Sequence, residues 1–287
     1  MQGGRLVHKN NKERKENMEL KNTNLGFNNS GKYVGDNDGP AYVVYSKIGY
    51  KKASYEFLLS QAKINMRRKS DQKWTNSYIF LGIDVYDENE EFLNCIDTGF
   101  CYAGGSQDWH LFYNLLQTSE SDTFSWYESS ISLNPEHDYK LELDCTEKDG
   151  YATIRIFDMN EDNKLVDSAT FEVLYSKADG SNLSLYQDYA IDFPEDIKRD
   201  RTGENYSEDW EEVVLYNTNE DIYLNNIIIK NATLYSNEGA HEWTEERTND
   251  TFMYPSAAQD RVDYPCTRIL EQNKYSELTL DLDMNRH

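Results

Sequence analysis

The stretch Tyr78-Ile79-Phe80-Leu81-Gly82-Ile83-Asp84-Val85-Tyr86 decides the fold of this 287-residue chain. Apolar side chains recur at every second position, and in a strand successive side chains point to opposite faces. One face of the segment therefore reads Ile79, Leu81, Ile83, Val85, and the other Tyr78, Phe80, Asp84, Tyr86. The same alternation runs through Asp138 to Cys145, Tyr151 to Phe157 and Asn182 to Phe193. Their inward faces read Tyr139, Leu141, Leu143, Cys145 and Leu183, Leu185, Tyr189, Ile191, Phe193; Tyr186, Asp188 and Asp192 fall on an open face. Such a pattern predicts an all-β protein, a two-sheet antiparallel jelly-roll sandwich with aromatic and acidic side chains on one outer face.

Outward from that stretch, further strands are expected over Ala41 to Tyr45, Ala53 to Ile64, Glu91 to Ile96, Trp109 to Leu116, Ser129 to Leu133, Leu165 to Leu174 and Ser276 to Leu282. Asp87-Glu88-Asn89-Glu90 and Lys148-Asp149-Gly150 read as hairpin turns, since Asp-Gly supplies the positive φ such turns require. Ile222 to Tyr235 reads as one long strand or a pair, and Ile227-Ile228-Ile229, apolar on both faces, suits a central position. A short helix is expected near Thr267 to Gln272. Residues 1–39, polar and without sustained periodicity, read as a flexible N-terminal arm. Residues 40–287 read as the sandwich domain, carrying an acidic insertion at about 194–221.

The formal net charge is −23, and tyrosine alone contributes 22 residues. An acidic surface repels phosphate backbones, so nucleic acid is not expected as a partner. No apolar run approaches the roughly 18 residues of a membrane span. Met1 to Lys21 contains bases but no apolar core of a secretory signal, and no compartment is assigned from it. Of the four cysteines, Cys95 and Cys101 share strand parity, and a disulfide between them across a bend near Gly99 is one expectation; free thiols are the other.

The candidate ligand-binding residues are the aromatics Tyr78, Tyr86, Trp109, Tyr113 and Tyr186, with Phe80, Trp126 and Tyr127 nearby, and the acceptors Asp84 and Asp192. Sugar C–H faces stack on aromatic rings while hydroxyls bond carboxylates, so the open sheet face reads as a platform for a glycan or an extended polypeptide. Asp97 and Asp188 form a candidate catalytic pair, because two carboxylates held close share a proton and divide acid and base roles. Asp158, Asn160 and Asp162 have the alternating oxygens of a calcium loop. Asn163 stands where its glycine belongs and Ala169 where its bidentate acid belongs, so a plain Asx-rich turn without cofactor is the expectation. The five histidines form no i, i+4 ligand pair, and Ala103-Gly104-Gly105-Ser106 lacks the lysine of a phosphate loop.

Three blocks carry a family resemblance: Phe80-Leu81-Gly82-Ile83-Asp84, then Ile96-Asp97-Thr98-Gly99, then Gln187-Asp188-Tyr189-Ala190-Ile191. Their order resembles that of the glutamic peptidases, where the blocks read roughly W-x-G-I-D, Q-T-G and A-E-W-I. The resemblance, spanning about residues 78–193, implies a concanavalin A-like sandwich of the kind found in lectins and glucanases. It also implies working residues on the concave sheet. Asp97 stands at the family's glutamine, Asp188 at its glutamate, and Phe80 and Tyr189 at its tryptophans. Ala190-Ile191-Asp192-Phe193-Pro194-Glu195 is similar to the glucanase E-I-D-x-x-E signature, but Ala190 occupies the nucleophile's place. The expected function is non-catalytic, lectin-like recognition on the concave face. The rivals are an acid-active peptidase or glycan hydrolase using the Asp pair, and a structural subunit of a larger assembly.

Overall fold

The computed structural model describes residues 38–69, 71–117, 124–192, 221–254 and 267–284. In chain order the strands are β1 (Asp38–Ser46), β2 (Lys52–Phe57), β3 (Lys63–Asn65), β4 (Ser77–Tyr86), β5 (Phe92–Ala103), β6 (Asp108–Gln117), β7 (Phe124–Glu128) and β8 (Tyr139–Asp144). They continue with β9 (Tyr151–Asp158), β10 (Lys164–Glu172), β11 (Leu183–Asp192), β12 (Tyr223–Ser236), β13 (Gly239–Glu242), β14 (Thr248–Tyr254), β15 (Thr267–Asn273) and β16 (Glu277–Asp283). A seven-stranded first sheet runs β14-β1-β11-β4-β5-β6-β7, and a nine-stranded second sheet runs β10-β9-β8-β2-β12-β16-β15 with β13 and β3 also on β12. Every strand pairing is antiparallel, giving the two-sheet jelly-roll sandwich the alternation predicts.

The sheets close on one core. Ile79, Leu81, Ile83 and Val85 of β4, with Leu183, Leu185, Tyr189 and Ile191 of β11, face Tyr55, Phe57, Leu141, Leu143, Ile154, Ile227 and Ile229 of the second sheet. The predicted Ile222–Tyr235 segment is one strand, flanked by β2 and β16 as its two-sided apolar run requires. It bends at two register shifts, where Asn226 and Asn231 adopt left-handed φ that asparagine tolerates. The Lys148–Gly150 turn forms with Gly150 at φ 79°, and Asp87 closes its hairpin by accepting from the N–H groups of Asn89 and Glu91.

Three expectations need correction. Thr267–Asn273 is a strand and not a helix; its helix-forming residues are overridden by pairing along β16. Ser129 to Leu133 is a connection, and the strand lies earlier, at β7. Cys95 and Cys101 sit on one continuous strand through Gly99, about 20 Å apart at 3.3 Å per residue, far beyond disulfide reach. Both are free and buried, as is Cys145. Asp158, Asn160 and Asp162 build a short 3-10 turn, in which the Asp158 carboxylate accepts from Asn160 N–H and His137, and Asn160 Oδ1 accepts from Asp138 N–H. Among the described residues no acid, histidine and cysteine cluster of metal-holding size occurs. Most of the expected arm and acidic insertion lie outside the described residues, as does Cys266. No described helix is long and apolar enough to cross a membrane.

Candidate functional site on the outer face of the first sheet

Strand register sets the outer face row by row. Tyr45 of β1, Tyr186 of β11, Gly82 of β4, Asp97 of β5 and Asn114 of β6 lie side by side. The next row holds Val43, Asp188, Phe80, Gly99 and Phe112, and the row beyond it Ala41, Ala190, Tyr78, Cys101 and His110. Tyr45, Tyr186, Phe80, Phe112, Tyr78 and Trp126 form one unbroken chain of ring contacts, with centroids 5.1–6.2 Å apart. Tilted and edge-to-face geometries of this kind add to the stabilisation from area burial.

Three tyrosines of the site point their phenols at carboxylates. Tyr186 donates to Asp97 Oδ1 at 2.5 Å, Tyr78 to Asp192 Oδ2 at 2.7 Å, and Tyr86 to Asp84 Oδ2 at 3.3 Å. Gly82 makes the first of these bonds possible, because a Cβ there would stand 2.0 Å from Cζ of Tyr186. The ring therefore lies flat across β4 and reaches β5. Burial first, and then the charges of Asp97 and Asp192, push the phenols of Tyr186 and Tyr78 well above the usual tyrosine range. Burial likewise raises the thiols of Cys95 and Cys101, helped by Asp97 and Asp84 at the first and by Glu128 and Asp192 at the second, so neither is a thiolate nucleophile.

The structure brings Tyr78, Asp84, Tyr86, Asp97, Tyr186, Asp188 and Asp192 onto this one face. It does not expose them: none is more than 9% accessible, so the expected open platform is a second buried layer. Trp109 and Tyr113 lie on the opposite face. Trp109 packs in the sandwich core against Phe57 and Tyr102, and Tyr113 stacks on Tyr127 and Phe171 at the core's edge. Their parity partners Leu111 and Leu115 mark the inward face of β6, and the polar His110 and Asn114 mark the outward one. That signal would have put Phe112 in the site. Tyr45 is the other aromatic missed.

Asp97 and Asp188 are not partners. They lie two strands and one row apart, which separates their Cα atoms by about 12 Å. The rings of Phe80 and Tyr186 stand between them, and Asp97 already accepts a phenolic proton. An acid pair that divides one proton requires near contact.

No known protein family matches the sequence, and no curated protein matches it either. Among solved structures the chain is similar to scytalido-glutamic peptidase with a transition state analog inhibitor, at TM-score 0.45 and 9% identity, covering 85% of this chain and 97% of that one. It is similar to SCP-B, a member of the eqolisin family of peptidases in complex with the tripeptide Ala-Ile-His, at TM-score 0.43 and 8% identity, covering 85% and 96%. A family 16 glycoside hydrolase from Bacteroides ovatus with a G4G4G3G product follows at TM-score 0.31 and 12% identity, covering 59% and 74%.

Proposed function

We propose that the protein is a non-catalytic recognition module, and that the outer face of its first sheet receives an extended polypeptide. The observation carrying this reading is the aromatic outer face, where Tyr45, Tyr186, Phe80, Phe112, Tyr78 and Trp126 form one continuous chain of ring contacts. A sandwich needs one buried face per sheet. A second apolar, aromatic face is suited to being covered by chain, with main-chain groups crossing between ring contacts. A glycan would need open hydrogen-bond acceptors, whereas Asp84, Asp97 and Asp192 are already engaged by tyrosine phenols. The separation of Asp97 from Asp188 disfavours hydrolysis by an acid pair.

Panning displayed random twelve-residue peptides against the full chain tests the proposal. Recovered peptides should lose at least tenfold in affinity when Tyr45 or Phe112 is replaced by Ala. A screen that yields no binder dependent on these residues sinks it. The rival hydrolase reading has its own assay: casein cleavage between pH 2 and 6 that disappears in both Asp97→Asn and Asp188→Asn would replace recognition with catalysis.

A further inference from the structure

Among the described residues, positive charge concentrates in one segment. From Lys63 to Trp74 the sequence holds Lys63, Arg67, Arg68, Lys69 and Lys73 against the single acid Asp71, in a protein of net charge −23. The segment folds back on itself just before β4. Arg67 and Trp74 pair across an isolated bridge, Arg68 N–H donates to Lys73 O, and Thr75 N–H donates to Met66 O. Asp71 clamps the buried Arg68 through both Nε and Nη2, and lies 3.8 Å from Lys73 Nζ. That spends the local acid.

Arg67 is left in an unusual state. It forms no ion pair with any described residue, and its guanidinium reaches only the carbonyl oxygens of Gln72 at 3.3 Å and Gly105 at 3.4 Å. Its Nε is buried without a hydrogen-bond partner. A half-buried guanidinium with unused donors is a costly thing to keep, and a bidentate anion would satisfy it. Directly beside it, Trp74 is 39% exposed. The indole is seated on Gly105, where an added Cβ would stand 3.0 Å from Cζ2, so the glycine lets backbone support the ring while much of it stays in water.

We propose that Arg67 and Trp74 form a binding site for an anionic sugar, a pyranose carrying carboxylate or sulfate, separate from the outer face of the first sheet. The indole stacks on the C–H face of the ring. Arg67 takes the anionic group on its fork, and the exposed Lys69 adds long-range attraction. An extended acidic peptide fits less well, because it brings anionic groups but no sugar C–H face for the exposed Trp74 indole.

Calorimetric titration of the full chain with tetragalacturonate, a sulfated galactotetraose, cellotetraose and hexaglutamate decides the matter. At least one anionic sugar should bind, and which of the two binds tells carboxylate from sulfate. Cellotetraose should bind at least tenfold more weakly, and the affinity should fall with added salt. Trp74→Ala and Arg67→Gln should each weaken binding at least tenfold, Trp74→Tyr should retain most of it, and thermal melts should show all three folded. Tyr45→Ala should leave it unchanged, which keeps this site distinct from the peptide-binding face. The proposal is overturned by cellotetraose or hexaglutamate binding as tightly as the anionic sugars, by no binding of either anionic sugar at millimolar concentration, or by affinity indifferent to Arg67 and Trp74.

Discussion

On the second sheet, the face turned away from the core carries Lys52, Lys140, Glu142, Asp144 and Arg155 in a cross-strand ladder of ion pairs. The same face of the first sheet carries Tyr45, Tyr78, Phe80, Phe112 and Tyr186 in contact with one another. β8 accordingly alternates between buried and half-buried positions along its whole length, whereas β4 is buried at every position. Both strands show period-two patterns. What differs is the material on the second parity: charges that remain hydrated in one sheet, rings and tyrosine-bonded carboxylates in the other. Aromatic side chains let the outer face of the first sheet pack as a second layer, where charges keep that of the second sheet hydrated.

The sharpest way to break this comparison is to truncate one ring on each outer face. Phe80→Ala should lower the unfolding free energy by about 3–5 kcal/mol, as for a ring deleted from a packed interior. Phe157→Ala on the second sheet, where Lys140 Nζ stands 5.8 Å from the ring centroid, should cost about 1 kcal/mol or less. Equal shifts in urea midpoint would mean the two faces are alike. Gly82→Ala comes next: the new methyl must displace the Tyr186 ring and break its bond to Asp97, at a cost of about 3 kcal/mol. Loss of the Tyr186 hydrogen bond can be followed separately with Tyr186→Phe, whose effect should be smaller.

pH separates the faces in opposite directions. Tyr78 and Tyr186 have phenols held above the ordinary value by burial and by neighbouring carboxylates. A folded pKa above the unfolded one means the contribution is complete below about pH 10 and is lost as pH rises past it. Absorbance at 295 nm should therefore leave these tyrosines un-ionised until the chain unfolds. On the second sheet, burial alone would raise Asp144, but hydrogen bonds from Thr146 and the charges of Lys52 and Arg155 outweigh it and hold the carboxyl low. Its contribution is present above about pH 4 and is lost as pH falls through the folded value. A stability profile whose acid loss is reduced by Asp144→Asn, with alkaline loss unaffected by it, would support the contrast. The smallest expected effect belongs to Lys52→Gln, about 0.5 kcal/mol at low salt and less at high salt.

Much of the architecture was legible because it depends on local alternation. The inward set of β4, β8 and β11 was readable from parity, and Lys148-Asp149-Gly150 from turn chemistry. The errors have physical sources. Thr267–Asn273 contains good helix formers, and only the ladder to β16 makes it a strand. Trp109 and Tyr113 look like surface aromatics until the polar His110 and Asn114 between and beyond them are given weight. The Arg67–Trp74 pairing was not legible, since its meaning depends on the fold-back of one hairpin onto Gly105.

The sequence by itself determined that this chain makes strands, which side chains share a face, and which face of the principal strands turns inward, because backbone geometry imposes a two-residue repeat. Only the tertiary structure decided that the second face of the first sheet is also shielded and that Asp97 bonds Tyr186 instead of Asp188. Those outcomes depend on which strands become neighbours and in what register, and residues far apart in the chain establish both.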